Sequence, residues 1–101
     1  MIAEFTIVPL DKGESLSEYV SKIVGIVDDS GMEYMLTPMG TIVEGDFDDV
    51  FELIKRCHKE MRKYSSRVST TIKIDDREGA KKRITGKIES VEGKLGRRVK
   101  K

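Results

Sequence analysis

The sequence predicts an α+β sandwich, in which helices cover a four-stranded sheet. Apolar residues alternate at every second position in four short segments and recur every three or four positions in three longer ones. The 101 residues suit a single domain, 1–101, and a composition of 38% apolar and 37% charged residues indicates a thin core. Association with further copies of the chain would extend that core.

The first strand is predicted over residues 2–8, which alternate between an apolar and a mixed face. A first helix follows, capped by Ser15 or Ser17 and ended at Gly31. Its apolar residues form one stripe that is expected to face the sheet: Leu16, Tyr19, Val20, Ile23, Val24 and Val27.

A hairpin is predicted next, with strands over residues 34–37 and 41–44 joined by a Pro-Met-Gly turn. The second helix begins with Asp46, whose short carboxylate suits an N-cap. Its predicted buried stripe consists of Phe47, Val50, Phe51, Ile54, Cys57, His58 and Met61.

The last strand is predicted over residues 68–75, and a final helix carries Ile84, Ile88, Val91 and Leu95 at helical spacing. The order of elements is that of a ferredoxin-like βαββαβ sandwich with an extra C-terminal helix, in which both main helices lie on one sheet face. The extra helix and a partner subunit are expected to cover the other face.

Composition argues against several classes of partner. The net charge of +1 and a central sheet that offers chiefly Phe5 for base stacking predict no nucleic-acid binding. No leader and no run of about 20 apolar residues is present, so we expect a cytoplasmic protein without a membrane partner. Cys57 is the single cysteine, which leaves no disulfide framework. The absence of Asn and Gln is typical of proteins selected for high temperature.

Glu44 is the strongest candidate for a ligand contact. A carboxylate within a strand is unfavourable unless water or a partner satisfies it. Thr41 and Thr37 lie in the same hairpin and add hydroxyl groups. The alternative for Glu44 is a solvated sheet edge, or a salt bridge with Lys73 or Arg67 of another subunit.

Other polar residues allow weaker predictions. His58 is expected to pack on the buried helix face and to bond a backbone carbonyl. It points about 100° away from Cys57 around the helix, so we expect no metal site. An acylphosphatase-like hydrolase on this fold would use an Asn to orient water, and this chain has no Asn. It also lacks a separated Ser-His-Asp or Cys-His set, so we expect no catalytic residues and no enzyme activity. The Asp75–Arg77 segment predicts either a turn with an intersubunit salt bridge or a rim that closes a pocket. The Lys81–Arg83 run predicts a solvated helix face or a phosphate contact.

Several segments together resemble one known family: Ala3–Leu10, Ser17–Val20, Ser30–Gly31, Thr37–Gly45, His58 and Arg67–Arg77. On these segments the chain resembles the small thiamine-binding proteins of the YkoF-like superfamily. The resemblance implies a ferredoxin-like protomer in a homotetramer, a dimer of dimers, without catalytic activity. It implies thiamine or its hydroxymethylpyrimidine half as the ligand, and no other cofactor.

An aminopyrimidine presents an exocyclic amine and ring nitrogens, which carboxylate and hydroxyl oxygens can bind. We therefore expect Glu44 to be the polar anchor, with Thr37 and Thr41 as hydroxyl partners. Tyr34 and Phe5 are the expected apolar wall, which also suits a thiazolium cation. On this hypothesis, Glu44→Gln weakens binding by about 1.5–3 kcal/mol. The alternative function is a regulatory amino-acid sensor on the same fold.

Overall fold

A computed structural model describes residues 1–13, 16–79 and 81–100 and has the predicted order of elements. The predicted boundaries agree with it to within one or two residues. The elements are β1 (Ile2–Pro9), α1 (Ser17–Asp29), β2 (Glu33–Thr37), β3 (Gly40–Glu44), α2 (Phe47–Arg62), β4 (Val68–Asp75) and α3 (Arg83–Leu95).

The four strands form one antiparallel sheet in the order β2-β3-β1-β4. β1 lies at the centre, where Ile2 pairs with Glu44 of β3 on one side and with Asp75 of β4 on the other. This order confirms the ferredoxin-like α+β fold, because the first and last strands are neighbours and the hairpin lies beyond them.

The two faces of the sheet differ in how they are covered. α1 and α2 pack on one face, here called the helix face, and bury a single core. α3 lies on the opposite, open face against β2 and β3, and none of its described residues is buried. The side chains of the core are Ala3, Phe5, Ile7, Ile23, Val27, Val43, Val50, Leu53, Ile54, Cys57 and Met61.

Two local predictions need correction. Ser17 does not cap α1, because it is already the first helical residue and Leu16 occupies the N-cap; Ser15 lies outside the described residues. Phe47 was predicted to be buried, and this is wrong, because its side chain is 54% exposed. Phe47 precedes the first residue of α2 that enters the core. Its ring packs on that of Phe51, with 4.7 Å between the ring centroids.

The predicted helix stop is confirmed. Gly31 follows the C-cap residue Ser30 and has a φ of 74°, in the left-handed region that glycine adopts without steric cost. Asp46 occupies the predicted N-cap of α2, although its side chain makes no capping hydrogen bond.

A carboxylate joins the two loops at one end of the sheet. Asp11, after β1, accepts hydrogen bonds from the hydroxyls of Ser65 and Ser66 and from the backbone N–H of Ser66 at 3.1 Å. These bonds favour the charged form, above all the one from Ser65, and lower the pKa of Asp11 to about 2.

The Asp11 contacts predict a specific pH dependence of stability. Because the pKa of Asp11 is lowered on folding, its contribution is complete above the ordinary value of 3.8 and is lost as the pH falls towards about 2. We expect Asp11→Asn to be less stable than the parent at pH 6 and the difference to shrink by pH 2.5. Urea denaturation at both pH values measures this, with Glu89→Gln as an exposed-carboxylate control. A difference that does not change with pH would contradict the assignment.

Candidate functional site

Two surface pockets are lined by most of the candidate site residues predicted from the sequence. The first, here called the hairpin pocket, lies between α1, β1 and the tip of the β2–β3 hairpin and has a volume of about 170 Å³. The second, here called the Glu44 cleft, has a volume of about 630 Å³ and lies beside the start of α3. The lining of the hairpin pocket includes Phe5, Val20, Leu36, Thr37, Met39 and Thr41.

Thr37 shapes the tip of the hairpin. Its hydroxyl donates to the carbonyl of Gly40 at 2.9 Å and accepts from the N–H groups of Met39 and Gly40 at 3.2 and 3.1 Å. A hydroxyl has one hydrogen to donate and two lone pairs to accept with, so the Thr37 hydroxyl is saturated. Thr37 therefore fixes the turn that forms one wall of the hairpin pocket.

Gly40 permits a close approach between the hairpin and β1. A Cβ at this position would lie 2.9 Å from Oγ1 of Thr6 and 3.0 Å from the carbonyl oxygen of Phe5. Thr6 also donates a hydrogen bond to the carbonyl of Met39 at 3.1 Å. The hairpin tip is thus held against the central strand, and any side chain at residue 40 would push it away.

Thr41 is the unusual polar group of the hairpin pocket. Its side chain is only 6% exposed, and its hydroxyl makes no hydrogen bond with any residue that the structure describes. Among those residues, every fully enclosed polar side-chain atom has a partner, so the Thr41 oxygen must border open space, which is the pocket. This hydroxyl is therefore available to form a hydrogen bond with a ligand in the pocket, in place of water.

Phe5 forms the floor of the same pocket. It pairs directly with Thr41 across β1 and β3, so both side chains lie on the helix face. Only 2% of Phe5 is exposed, because its ring is also part of the core.

The structure does not bring all five predicted site residues together. Thr41 and Glu44 are three positions apart in β3, so their side chains point to opposite faces of the sheet. Tyr34 lies on the helix face, and its hydroxyl donates to the carboxylate of Asp28 at 2.8 Å. It lines neither the hairpin pocket nor the Glu44 cleft. That hydrogen bond raises the pKa of Tyr34.

Glu44 has a partner that neither sequence alternative included. Its two carboxylate oxygens accept hydrogen bonds from the backbone N–H groups of Arg83 at 2.8 Å and Ile84 at 3.2 Å. These are unpaired donors at the start of α3, where the helix dipole also favours a negative charge. Glu44 therefore caps α3 from the sheet, and its half-buried carboxylate is neither freely solvated nor paired with Lys73 or Arg67 within the described chain.

The Asp75–Arg77 segment is also tied to α3. Asp75 accepts hydrogen bonds from the guanidinium of Arg83 through both its carboxylate and its carbonyl. This contact lowers the pKa of Asp75 and raises that of Arg83. The salt bridge of Asp75 thus lies within one protomer, whereas Asp76 and Arg77 line the Glu44 cleft.

His58 is half-buried on α2, and its Nδ1 shares a hydrogen bond of 2.6 Å with the hydroxyl of Thr70 in β4. The predicted partner, a backbone carbonyl, was wrong, because α2 faces side chains of β4 at this position. Burial raises the pKa of the neighbouring Cys57 thiol to about 11, so this thiol is a poor nucleophile.

The described residues also bear on metals, membranes and nucleic acid. They contain no group of three side chains that could hold a metal ion, and no helix among them is long and apolar enough to cross a bilayer. Phe5, the aromatic considered for base stacking, is in the core, and no described strand residue on the open face is aromatic.

Comparison with known proteins identifies relatives of the chain. A family model described as thiamine-binding protein matches residues 3–92. The UPF0045 protein MJ1052 of Methanocaldococcus jannaschii is 32% identical, covering 90% of this chain and 91% of that protein. The UPF0045 protein YqgV of Bacillus subtilis is 38% identical, covering 89% of this chain and 92% of that protein.

Solved structures agree on the fold. The crystal structure of MJ1052 superposes with a TM-score of 0.82 at 32% identity, covering 89% of this chain and 93% of that one. TM0486 from Thermotoga maritima, a candidate thiamine biosynthesis or salvage protein, superposes with a TM-score of 0.79 at 22% identity. That likeness covers 89% of this chain and 96% of the other, and at this identity it bears on the fold alone.

Proposed function

We propose that this chain, which belongs to the thiamine-binding protein family, binds thiamine or its hydroxymethylpyrimidine half in the hairpin pocket without catalysing a reaction. The observation that carries the proposal is the Thr41 hydroxyl, which is nearly buried, borders the pocket and has no partner in the described chain. A ring nitrogen can accept from this hydroxyl, and an exocyclic amine can donate to it.

The size of the pocket supports a single ring as its occupant. A cavity of about 150 Å³ is large enough to hold benzene. The hairpin pocket, at about 170 Å³, therefore suits one six-membered heterocycle such as the pyrimidine. A second ring would lie at the mouth, where the side chains of Leu36 and Met39 are exposed, that of Met39 by 81%.

The charge of the pocket separates the two candidate ligand classes. None of the described residues that line the hairpin pocket is charged. A free amino acid brings a carboxylate and an ammonium group, each of which requires a charged or multiply hydrogen-bonding partner when buried. A neutral aminopyrimidine ring requires only a few hydrogen bonds, so these residues favour the hydroxymethylpyrimidine half as the enclosed group over a free amino acid.

The Glu44 cleft is the second candidate position for the ligand. Five acidic side chains line it, against three basic ones, which would suit the positive thiazolium ring. Glu44 could bind a ligand there only with the acceptor capacity that remains after it caps α3. We therefore propose Thr41 and Phe5 as direct contacts and Thr37 as a positioning residue, with the Glu44 cleft as the alternative.

We further propose that the protein is a thermostable homotetramer in the cytoplasm. Apolar side chains that a partner subunit would cover remain exposed on α3, at Val91 and Leu95, and on β4, at Ile72 and Ile74. Sedimentation equilibrium tests the assembly, since a tetramer has four times the protomer mass of 11.4 kDa.

The Thr41 hydroxyl is expected to determine affinity. We predict that Thr41→Val weakens binding of hydroxymethylpyrimidine by about 1–2 kcal/mol, or roughly 5- to 30-fold, because the isosteric side chain cannot form a hydrogen bond. Isothermal titration calorimetry measures this. Thr71→Val, on the open face of β4, is the matched control and should bind like the parent chain.

A third variant, Glu44→Gln, distinguishes the hairpin pocket from the Glu44 cleft as the position of the ligand. If Glu44→Gln weakens binding while Thr41→Val does not, the ligand lies in the Glu44 cleft. Absence of heat and of a thermal shift with both thiamine and hydroxymethylpyrimidine would remove the proposed function altogether.

A further inference from the structure

Another cleft lies between α3 and the loop that precedes it. It is separate from the hairpin pocket and adjoins the Glu44 cleft, with which it shares Arg77, Glu78, Gly79 and Lys81. Its volume is about 880 Å³, and the sheet contributes Ile2 and Asp75 to its wall. Two acidic side chains, Asp75 and Glu78, line it, against five cationic ones. We call it the basic cleft, after these five residues: Arg77, Lys81, Arg83, Lys87 and Lys94.

The helix concentrates positive charge on one of its sides. Arg83, Lys87 and Lys94 are separated by four and seven positions, so they lie on the same side of α3. The basic cleft therefore has three more positive than negative side chains, whereas the entire chain has a net charge of +1. A cleft lined by one sign of charge focuses the potential and attracts oppositely charged solutes.

Most of these cations are not used by the protein itself. Arg83 is held by Asp75 and forms a fixed part of the wall. Arg77, Lys81, Lys87 and Lys94 make no hydrogen bond or salt bridge with a residue that the structure describes.

We propose that the basic cleft binds a small anion that carries at least two phosphate groups. Lys87 and Lys94 lie seven residues apart, or about 10 Å along the helix axis. A diphosphate or a phosphorylated organic molecule carries more negative charge than a single phosphate group and has more oxygens to contact both lysines at once. Arg77 and Lys81, from the segment before α3, line the same cleft and add two further cations to it.

The basic cleft is separate from the hairpin pocket. The first adjoins Ile2 and the second adjoins Thr6 and Ile7, so they lie towards opposite ends of β1, about 13 Å apart along the strand. A pyrimidine ring in the hairpin pocket would leave the basic cleft open. The anion site is therefore independent of a ligand in the hairpin pocket, whereas a ligand in the Glu44 cleft would share Arg77 and Lys81 with it.

Calorimetric titration of the full chain with pyrophosphate and with inorganic phosphate, in buffer of low ionic strength, tests the proposal. We expect pyrophosphate to bind at least about tenfold more tightly than phosphate, and binding to weaken as salt is added. Lys87→Glu/Lys94→Glu should lose at least about tenfold in pyrophosphate affinity. Lys55→Glu/Lys59→Glu, which changes the charge of α2 by the same amount, is the matched control. It should bind pyrophosphate like the parent chain.

Several results would overturn the proposal. They are no pyrophosphate binding at low salt, equal losses in the two double variants, or binding of single-stranded RNA through the same lysines without any binding of pyrophosphate. Lys87→Ala/Lys94→Ala adds no negative charge that could repel neighbouring side chains and disturb folding. It should also bind pyrophosphate more weakly than the parent chain. Thr41→Val should retain pyrophosphate binding, so the failure of one proposal does not imply the failure of the other.

Discussion

Phe5→Ala is expected to lower the free energy of unfolding by about 3–5 kcal/mol, the range for removing a large buried aromatic side chain. Phe5 lies in the central strand, contacts the core beneath both main helices and is 2% exposed. Its neighbours are fixed by strand pairing on both sides, so the structure around a cavity there can collapse only in part. Urea denaturation followed by far-ultraviolet circular dichroism measures the change.

Phe47→Ala is the matched control for this prediction. It removes the same side chain from the start of α2, where Phe47 is 54% exposed. We expect a loss below about 1 kcal/mol, because much of that ring is already in water. Similar losses in the two variants would show that Phe5 is not the core residue that its burial indicates.

Glu44→Ala is expected to release α3 from the sheet while the rest of the fold persists. The variant removes both acceptors for the N–H groups of Arg83 and Ile84, and loss of a helix cap costs about 0.5–2 kcal/mol. No described residue of α3 is buried, so the main remaining contact at the start of this helix is that of the Arg83 guanidinium with Asp75. Hydrogen exchange should therefore accelerate in α3 and remain slow in β1.

Glu44→Gln provides a graded control for the cap. The amide keeps one acceptor oxygen and loses the negative charge, so we expect an exchange rate in α3 between those of the parent chain and Glu44→Ala. Unchanged protection of α3 in both variants would mean that other contacts, such as that of Arg83 with Asp75, suffice to hold the helix.

The fold could be predicted because its main signals are local. Alternation in β1 identifies Ala3, Phe5 and Ile7 as core residues, and all three are buried. The same rule separates Thr41 from Glu44, because three positions along a strand reverse the direction of a side chain. Thr41 and Glu44 are therefore close in the sequence of the hairpin and yet border different pockets.

The partner of Glu44 could not be predicted, because it depends on tertiary structure. The two N–H groups that it caps lie 39 and 40 residues later in the chain, and no local pattern connects them. For Thr41, the residue could be predicted from the sequence but its surroundings could not. The sequence identifies Thr41 as a candidate hydroxyl, but only the packing of α1 against the hairpin shows that it is nearly buried and that no described residue bonds it.

The central place of β1 has a consequence for biosynthesis. Of the four strands in this sheet, β1 is translated first and pairs with β4, which is translated last, since Ile2 faces Asp75 and Pro9 faces Val68. Until β4 emerges, one edge of β1 has no neighbour and the nascent chain cannot complete its sheet. The sheet can therefore be completed only after all four strands and both main helices have been translated.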